Sequence, residues 1–212
     1  MNNNNTKEAG EISEEKNGTT TVGIKTKDGV VVATDRKVSY FMSTAKKDMN
    51  KIMPIHDTAV MTMAGVVGHA QKVRDKLQGK VTTYESRRGR KMPIESIPYV
   101  LRNMFEEDHY HIGPILAGVD NTGNYLYEVE PNGAIISYKE YTSTGSGVQF
   151  ATGVLEQGYH DDITLEEAQE LALNAIKTAS ERDNFTGDGL VIATITEDGV
   201  DTNLYDSIPD KL

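Results

Sequence analysis

The stretch TTTVGIKTKDGVVVATD, residues 19–35, decides how the rest of the chain is read. Val22 and Ile24 alternate with other residues, Lys27, Asp28 and Gly29 supply turn chemistry, and Val30, Val32 and Thr34 resume the alternation. β-Branched residues at a period of two, on both sides of a Gly-bearing turn, specify an antiparallel hairpin. What precedes it has a different character. Residues 1–18, MNNNNTKEAGEISEEKNG, carry Ile12 as the only large aliphatic side chain after Met1, too little apolar surface to offset the entropy of ordering. They read as a flexible tail or a removable propeptide, with the structured chain opening close to Thr19.

Outward from the hairpin, TAVMTMAG at 58–65 reads as a strand ending at Ala64 and Gly65. Val66, Ala70, Val73 and Leu77 then recur at helical steps, and Gly79 sits where such a helix is expected to stop. In PIESIPYVLRNMFEED, residues 93–108, Ile94, Ile97, Leu101, Met104 and Phe105 form one stripe, with Pro93 suited to a first helical turn and Pro98 lying inside the stripe. PILAGVD, NYLYEVE and AIISYKE, separated by NTG and PNG, read as an antiparallel meander over 114–140. A short helix, GVQFATGVLEQG, follows at 147–158. The strongest helix is 164–182, where Thr164 and Glu167 match a capping box. GLVIATITEDGVDTNLY closes the chain as a hairpin turning at Asp198 and Gly199. Strands, two helices, strands, two helices and strands, in that order, specify an α+β fold: a four-layer αββα sandwich of two antiparallel sheets flanked by helix pairs, one domain over 19–212.

Composition narrows the function classes. Twenty-two basic against 32 acidic residues leave a formal net charge of −10, which repels a nucleic-acid backbone. The absence of cysteine removes disulfides, thiolate zinc sites and cysteine nucleophiles together. No stretch approaches the ~20 apolar residues of a membrane helix, and no apolar segment follows a basic N-terminus, so no membrane partner is expected and the cytoplasm is the default location.

The chemistry centres on Thr19. If the bond between Gly18 and Thr19 is cut, the new α-amine shares a residue with the hydroxyl and titrates near ~7.7–8.0. Such an amine accepts the hydroxyl proton directly or through water, so the nucleophile carries its own base. The remaining motifs extend this reading. TTTVGI, DRK beginning sixteen residues after Thr19, KI at 51–52, AGVVGHAQ at 64–71, GSG at 145–147 and ERDNFTGDG at 181–189 together resemble the proteasome β subunits of archaeal type, members of the N-terminal-nucleophile hydrolases. The resemblance runs from Thr19 to about Tyr205.

That resemblance implies a threonine endopeptidase, with a propeptide of residues 1–18 removed by attack of Thr19 on the carbonyl of Gly18. It implies that Asp35 and Lys51 are the catalytic carboxylate and lysine, that the Gly65 N–H stabilises the oxyanion, and that Ser146, Asp183 and Thr186 orient the threonine amine and its water. Thr186 stands where the family commonly has serine. Main-chain contacts to an extended peptide are implied at Ser39, Gly65 and Val67, with Ser39 replacing a usual threonine. A specificity pocket of Val38, Met49, Met53, Met63 and Val67 implies cleavage after hydrophobic side chains. The implied partners are two stacked heptameric β rings, flanking α subunits, a regulatory ATPase and unfolded polypeptide substrates, with no cofactor. The alternatives are a structural ring subunit without working catalysis and a hydrolase of small amides.

Other constellations are weaker. His109 and His111 alternate as a metal pair would, but five histidines and no cysteine favour a polar loop after a helix, and no metal is expected. No G-x-S-x-G elbow occurs, and GTTTVG lacks the Lys of a phosphate loop.

Overall fold

In the computed structural model, residues 18–40 and 43–212 are described. The expected propeptide therefore lies outside the described residues except for Gly18, as do Phe41 and Met42. The opening hairpin forms as its sequence requires: β1 (Thr20–Lys25) and β2 (Val30–Asp35) pair antiparallel, with Thr21 opposite Thr34 and Lys25 opposite Val30. A short ribbon of β3 (Val38–Tyr40) and β4 (Ser43–Lys46) follows, and then β5 (Ile52–His56) and β6 (Ala59–Thr62).

The helix after β6, α1, spans Val67–Arg88 and runs through Gly79, against the expected stop. The buried stripe Ala70, Val73, Leu77 continues to Val81, and a Cβ at Gly79 would meet nothing. An exposed interior glycine costs a helix only about 1 kcal/mol, which one further buried valine offsets. The helix stops instead at Gly89, whose φ of 63° provides the left-handed cap. The second helix also begins later than expected. Pro93 precedes a 3₁₀ turn at Ile94–Ser96, and α2 (Ile97–Glu107) carries Pro98 in its own first turn, where a missing N–H is harmless.

The meander appears as β7 (Ile115–Asp120), β8 (Gly123–Val129) and β9 (Ile135–Ser137), and β10 (Tyr141–Gly145) crosses to pair with β1. α3 (Val148–Gly158) and α4 (Leu165–Arg182) follow, and α4 carries both halves of the predicted capping box. The closing hairpin is β11 (Leu190–Thr196) and β12 (Gly199–Tyr205).

The strands form two five-stranded antiparallel sheets, ordered β10-β1-β2-β11-β12 and β5-β6-β7-β8-β9. Alternation along each strand sends its two faces to different cores. Val30 and Val32 of β2 meet Val60, Ile115, Ala117 and Leu126 between the sheets. Val31 and Ala33 of the same strand face Ala168, Ala172, Ala175 and Ile176 of α4. Met61 and Leu116 on the outer face of the second sheet meet Leu77 and Leu101 of α1 and α2. The result is the four-layer αββα sandwich. At Gly23 the sheets approach so closely that a Cβ would lie 2.6 Å from Leu126 Cδ1. Among the described residues no helix is long and apolar enough to cross a membrane.

Candidate active site

Antiparallel pairing gathers the site at one end of the sandwich. Thr19 immediately precedes β1, Asp35 ends β2, Lys51 precedes β5, and Gly65 follows β6, so four strand termini converge. Thr19 is 4% exposed, and the side chains of Asp35 and Lys51 are 0% and 1% exposed. Lys51 is thus far from the solvated lysine that its polar neighbours in sequence would suggest. Its Nζ donates to Thr19 Oγ1 and to Asp35 Oδ1, each at 2.9 Å.

Asp35 is held from several directions. Its Oδ1 also accepts the Thr20 N–H at 3.0 Å, and its Oδ2 accepts the N–H groups of Lys37 and Gly187 at 3.0 and 3.1 Å. Burial raises the Asp35 carboxyl above its ordinary value, opposed by Lys51 and by the N–H groups of Thr20 and Gly187. Burial likewise lowers the Lys51 ammonium, opposed by Asp35 and by the more distant Asp183. Both displacements bring the two groups closer in proton affinity.

On the opposite side of Thr19, the loops after β10 and α4 meet. The Thr19 amide donates to Ser146 Oγ at 3.3 Å, and the Ser146 amide donates to Thr19 O at 2.8 Å. Ser146 Oγ and Thr186 Oγ1 both donate to Asp183 Oδ2, the latter at 2.6 Å. Thr186 Oγ1 also lies 2.7 Å from Thr20 Oγ1. The hydroxyl at 186 therefore makes two contacts, and the 3% exposed side chain accommodates its extra methyl. Sequence reasoning did not find the Lys37 and Gly187 amides or Phe185. Only Gly187 leaves a visible trace, the glycine-rich TGDG at 186–189, where Gly187 and Gly189 adopt φ of 148° and 111°.

The Gly18 carbonyl accepts the Thr19 hydroxyl at 2.7 Å. A Cβ at Gly18 would overlap Phe185 Cβ at 1.7 Å, so this close turn excludes any side chain. Gly65 has φ of 117° and bridges Ile112, and a Cβ there would sit 2.3 Å from His111 O. The Val66 N–H on that carbonyl and the Gly113 N–H on Ala64 O fix the turn on both sides.

The positions read as the substrate groove divide into two groups. Met53 and Met63 are buried in the layer beneath α1 and α2, whereas Met49 and Val67 are half-buried at its margin. Val38 is half-buried on β3 and Ser39 is buried beside it. His111 stacks on His69 at 5.6 Å between ring centroids, and its amide donates to His69 Nδ1. Among the described residues no group of three or more His, Cys, Asp or Glu side chains could hold a metal ion.

Two antiparallel sheets between helix pairs, with a threonine opening the first strand, define the N-terminal-nucleophile hydrolase fold. A sequence profile of the proteasome subunit matches residues 15–195, and the chain belongs to that family. It is 46% identical over 189 residues to the proteasome subunit beta of Haloferax volcanii, covering 89% of this chain and 77% of that protein. It is 43% identical over 194 residues to the proteasome subunit beta of Haloquadratum walsbyi, covering 91% and 79%. A proteasome subunit beta 2 of Haloterrigena turkmenica is 44% identical over 190 residues, covering 88% and 79%.

Proposed function

We propose that this chain is a threonine endopeptidase, the catalytic β subunit of a proteasome core, with Thr19 as nucleophile and residues 1–18 as its propeptide. The observation that carries the reading is the shared position of Lys51 Nζ, 2.9 Å from both Thr19 Oγ1 and Asp35 Oδ1 in a buried setting. A lysine so placed favours an alkoxide on the hydroxyl oxygen, and Asp35 holds it in line.

Self-cleavage comes first. Thr19 Oγ1 lies beside the Gly18 carbonyl; its attack forms the C–O bond, the Gly18 C–Thr19 N bond breaks, and the hydroxyl proton passes to the leaving nitrogen, so the acyl group moves from nitrogen to oxygen. Water then hydrolyses the ester, leaving the Gly18 carboxylate and a free α-amine on Thr19. In the mature chain that amine, held near Ser146, takes the hydroxyl proton as Thr19 attacks a substrate carbonyl. The Gly65 N–H receives the developing oxyanion. The proton passes to the departing amine, and water resolves the acyl-threonine to regenerate Thr19. Ser146, Asp183 and Thr186 orient the amine and that water. No cofactor takes part.

The substrate is an unfolded polypeptide lying extended along Ser39, Gly65 and Val67. The margin of Val38, Met49 and Val67, continued by Met53 and Met63, favours cleavage after hydrophobic residues. The named relatives support assembly into a proteasome core with α subunits; within it we propose heptameric β rings stacked in pairs, served by a regulatory ATPase in the cytoplasm. Co-expression with an α partner tests the reading. The chain is expected to begin at Thr19 by intact mass and to hydrolyse peptides, and Thr19→Ala abolishes both. Full activity without trimming refutes the mechanism, and a chain neither trimmed nor active leaves a structural ring subunit.

A further inference from the structure

Beside the Asp35–Lys51 pair lies a second buried charge that the proposed reaction does not use. The Arg36 side chain, which carries a guanidinium, is only 7% exposed. Its Nη1 donates to Asp206 Oδ1 at 2.6 Å, just beyond β12, and its Nη2 donates to Asp48 O at 3.0 Å. Its Nε has no hydrogen-bond partner among the described residues. The stem presses on the loop after α4, where a Cβ at Gly189 would lie 2.9 Å from Arg36 Cδ. The backbone adds two bonds: the Arg36 N–H donates to Gly187 O, and the Met49 N–H donates to Arg36 O, each at 3.1 Å. Four segments therefore meet on one residue, and two of the other three are tied to the site. Met49 borders the substrate groove, Gly187 binds Asp35, and the tail after β12 is reached through Asp206.

We propose that Arg36 is a positioning residue for substrate. Its guanidinium clamps Asp48 to Asp206 and so fixes the Met49 side of the groove relative to Thr19. The inference rests on the endopeptidase reading. Both backbone bonds of residue 36 survive any substitution other than proline, so variants report on the side chain alone. Lys51 keeps its own anchors, namely Asp35, Thr19 and the Met63 N–H on its carbonyl. Loss of the clamp therefore weakens substrate binding more than it slows the chemical step. Lysine cannot replace arginine fully, because a single ammonium does not span two acceptors on opposite arms of a planar fork.

The test uses the full chain co-expressed with its α partner, assayed on a fluorogenic peptide with leucine before the scissile bond. Arg36→Met is expected to mature to Thr19, to raise KM by about tenfold and to change kcat by less than about threefold. Arg36→Lys gives a smaller rise, and Asp206→Ala, an exposed change, raises KM in the same direction. A wild-type KM in Arg36→Met overturns the proposal, as does a fall in kcat with KM unchanged. If Arg36→Met fails to assemble, wild-type KM values in both Arg36→Lys and Asp206→Ala overturn it. Thr19→Ala separates the two levels of inference. An active wild type, an inactive Thr19→Ala and an unmoved KM refute the clamp alone, whereas hydrolysis by Thr19→Ala removes the reaction Arg36 would serve and both fall.

Discussion

Asp35→Asn is the most demanding test of how the site is held. The amide copies the shape of the carboxylate but exchanges one oxygen for an NH₂ group. Asp35 now accepts four donors, Lys51 and Thr20 on Oδ1 and Lys37 and Gly187 on Oδ2. Whichever way the asparagine turns, two buried donors face another donor. The less costly orientation places NH₂ against the Lys37 and Gly187 amides, since the other opposes an ammonium. An unsatisfied buried donor costs ~1–3 kcal/mol, so the pair costs ~2–6 kcal/mol. Lys51 also loses its countercharge, and burial already disfavours its charged form. We expect a stability loss of about 4 kcal/mol, a large part of the ~5–15 kcal/mol available to a domain. Urea unfolding of the purified chain, followed by circular dichroism, measures it as a shift in midpoint at constant slope. Release of residues 1–18 and peptide hydrolysis should each slow by about 100-fold or more, because Lys51 loses the carboxylate that holds its ammonium against Thr19 Oγ1. A variant destabilised by less than about 1 kcal/mol, and trimmed at the wild-type rate, would falsify the assignment of Asp35 as the charge that organises this end of the sandwich.

Two further perturbations probe other features. Gly65→Ala forces a Cβ to within 2.3 Å of His111 O at a positive φ, so the Gly65 N–H must turn away; kcat is expected to fall by about 100-fold, and a near-normal kcat places the oxyanion donor elsewhere. The capping carboxylate Glu167 is held below its usual value, chiefly by the Thr164 N–H. Its stabilising contribution is fully present above an unfolded value of ~4.3 and is lost as pH falls through the lower folded value. Wild type should melt above Glu167→Gln at pH 7 and together with it well below that folded value, and a gap independent of pH contradicts the assignment.

Much of the fold was legible because turns and caps announce themselves locally. The Asp28-Gly29 and Asp198-Gly199 turns, the meander and the Thr164–Glu167 box each carry their own chemistry within a few residues. The C-terminal cap of α1 at Gly89 was missed because Gly79 looked like a terminator, and only the burial of Val81 beyond it shows that it is not. β4 escaped notice because all four of its residues are exposed and carry no apolar period. β10 escaped for the opposite reason: its inward positions are Thr142 and Thr144, and Thr144 is satisfied by Thr21 at 2.7 Å rather than by apolar contact. Buried threonines of this kind are invisible to a reading based on hydrophobic alternation.

The site divides in the same way. Thr19 could be singled out from its own chemistry as an amine and hydroxyl on one residue. Ser146 lies 127 residues away from it in sequence, and nothing local marks that serine. Family resemblance pointed to Ser146, Asp183 and Lys51; the fold brings Lys51 and Ser146 against Thr19 and holds Asp183 behind Ser146. Resemblance could not point to the amides on Asp35, because N–H groups leave no mark in residue identity.

The position of Asp35 also bears on how such a chain can degenerate. Its four contacts join the beginning of β1, the end of β2, the segment before β5 and the loop after α4, so the carboxylate seals a seam of the molecule. Among the described residues, Thr19 Oγ1 hydrogen-bonds only Lys51 and the Gly18 carbonyl. A descendant released from catalysis can therefore lose the nucleophile at little structural cost, while losing the carboxylate opens the seam. In an inert copy the hydroxyl should decay first and the aspartate should persist, so the aspartate alone would be a poor witness to activity.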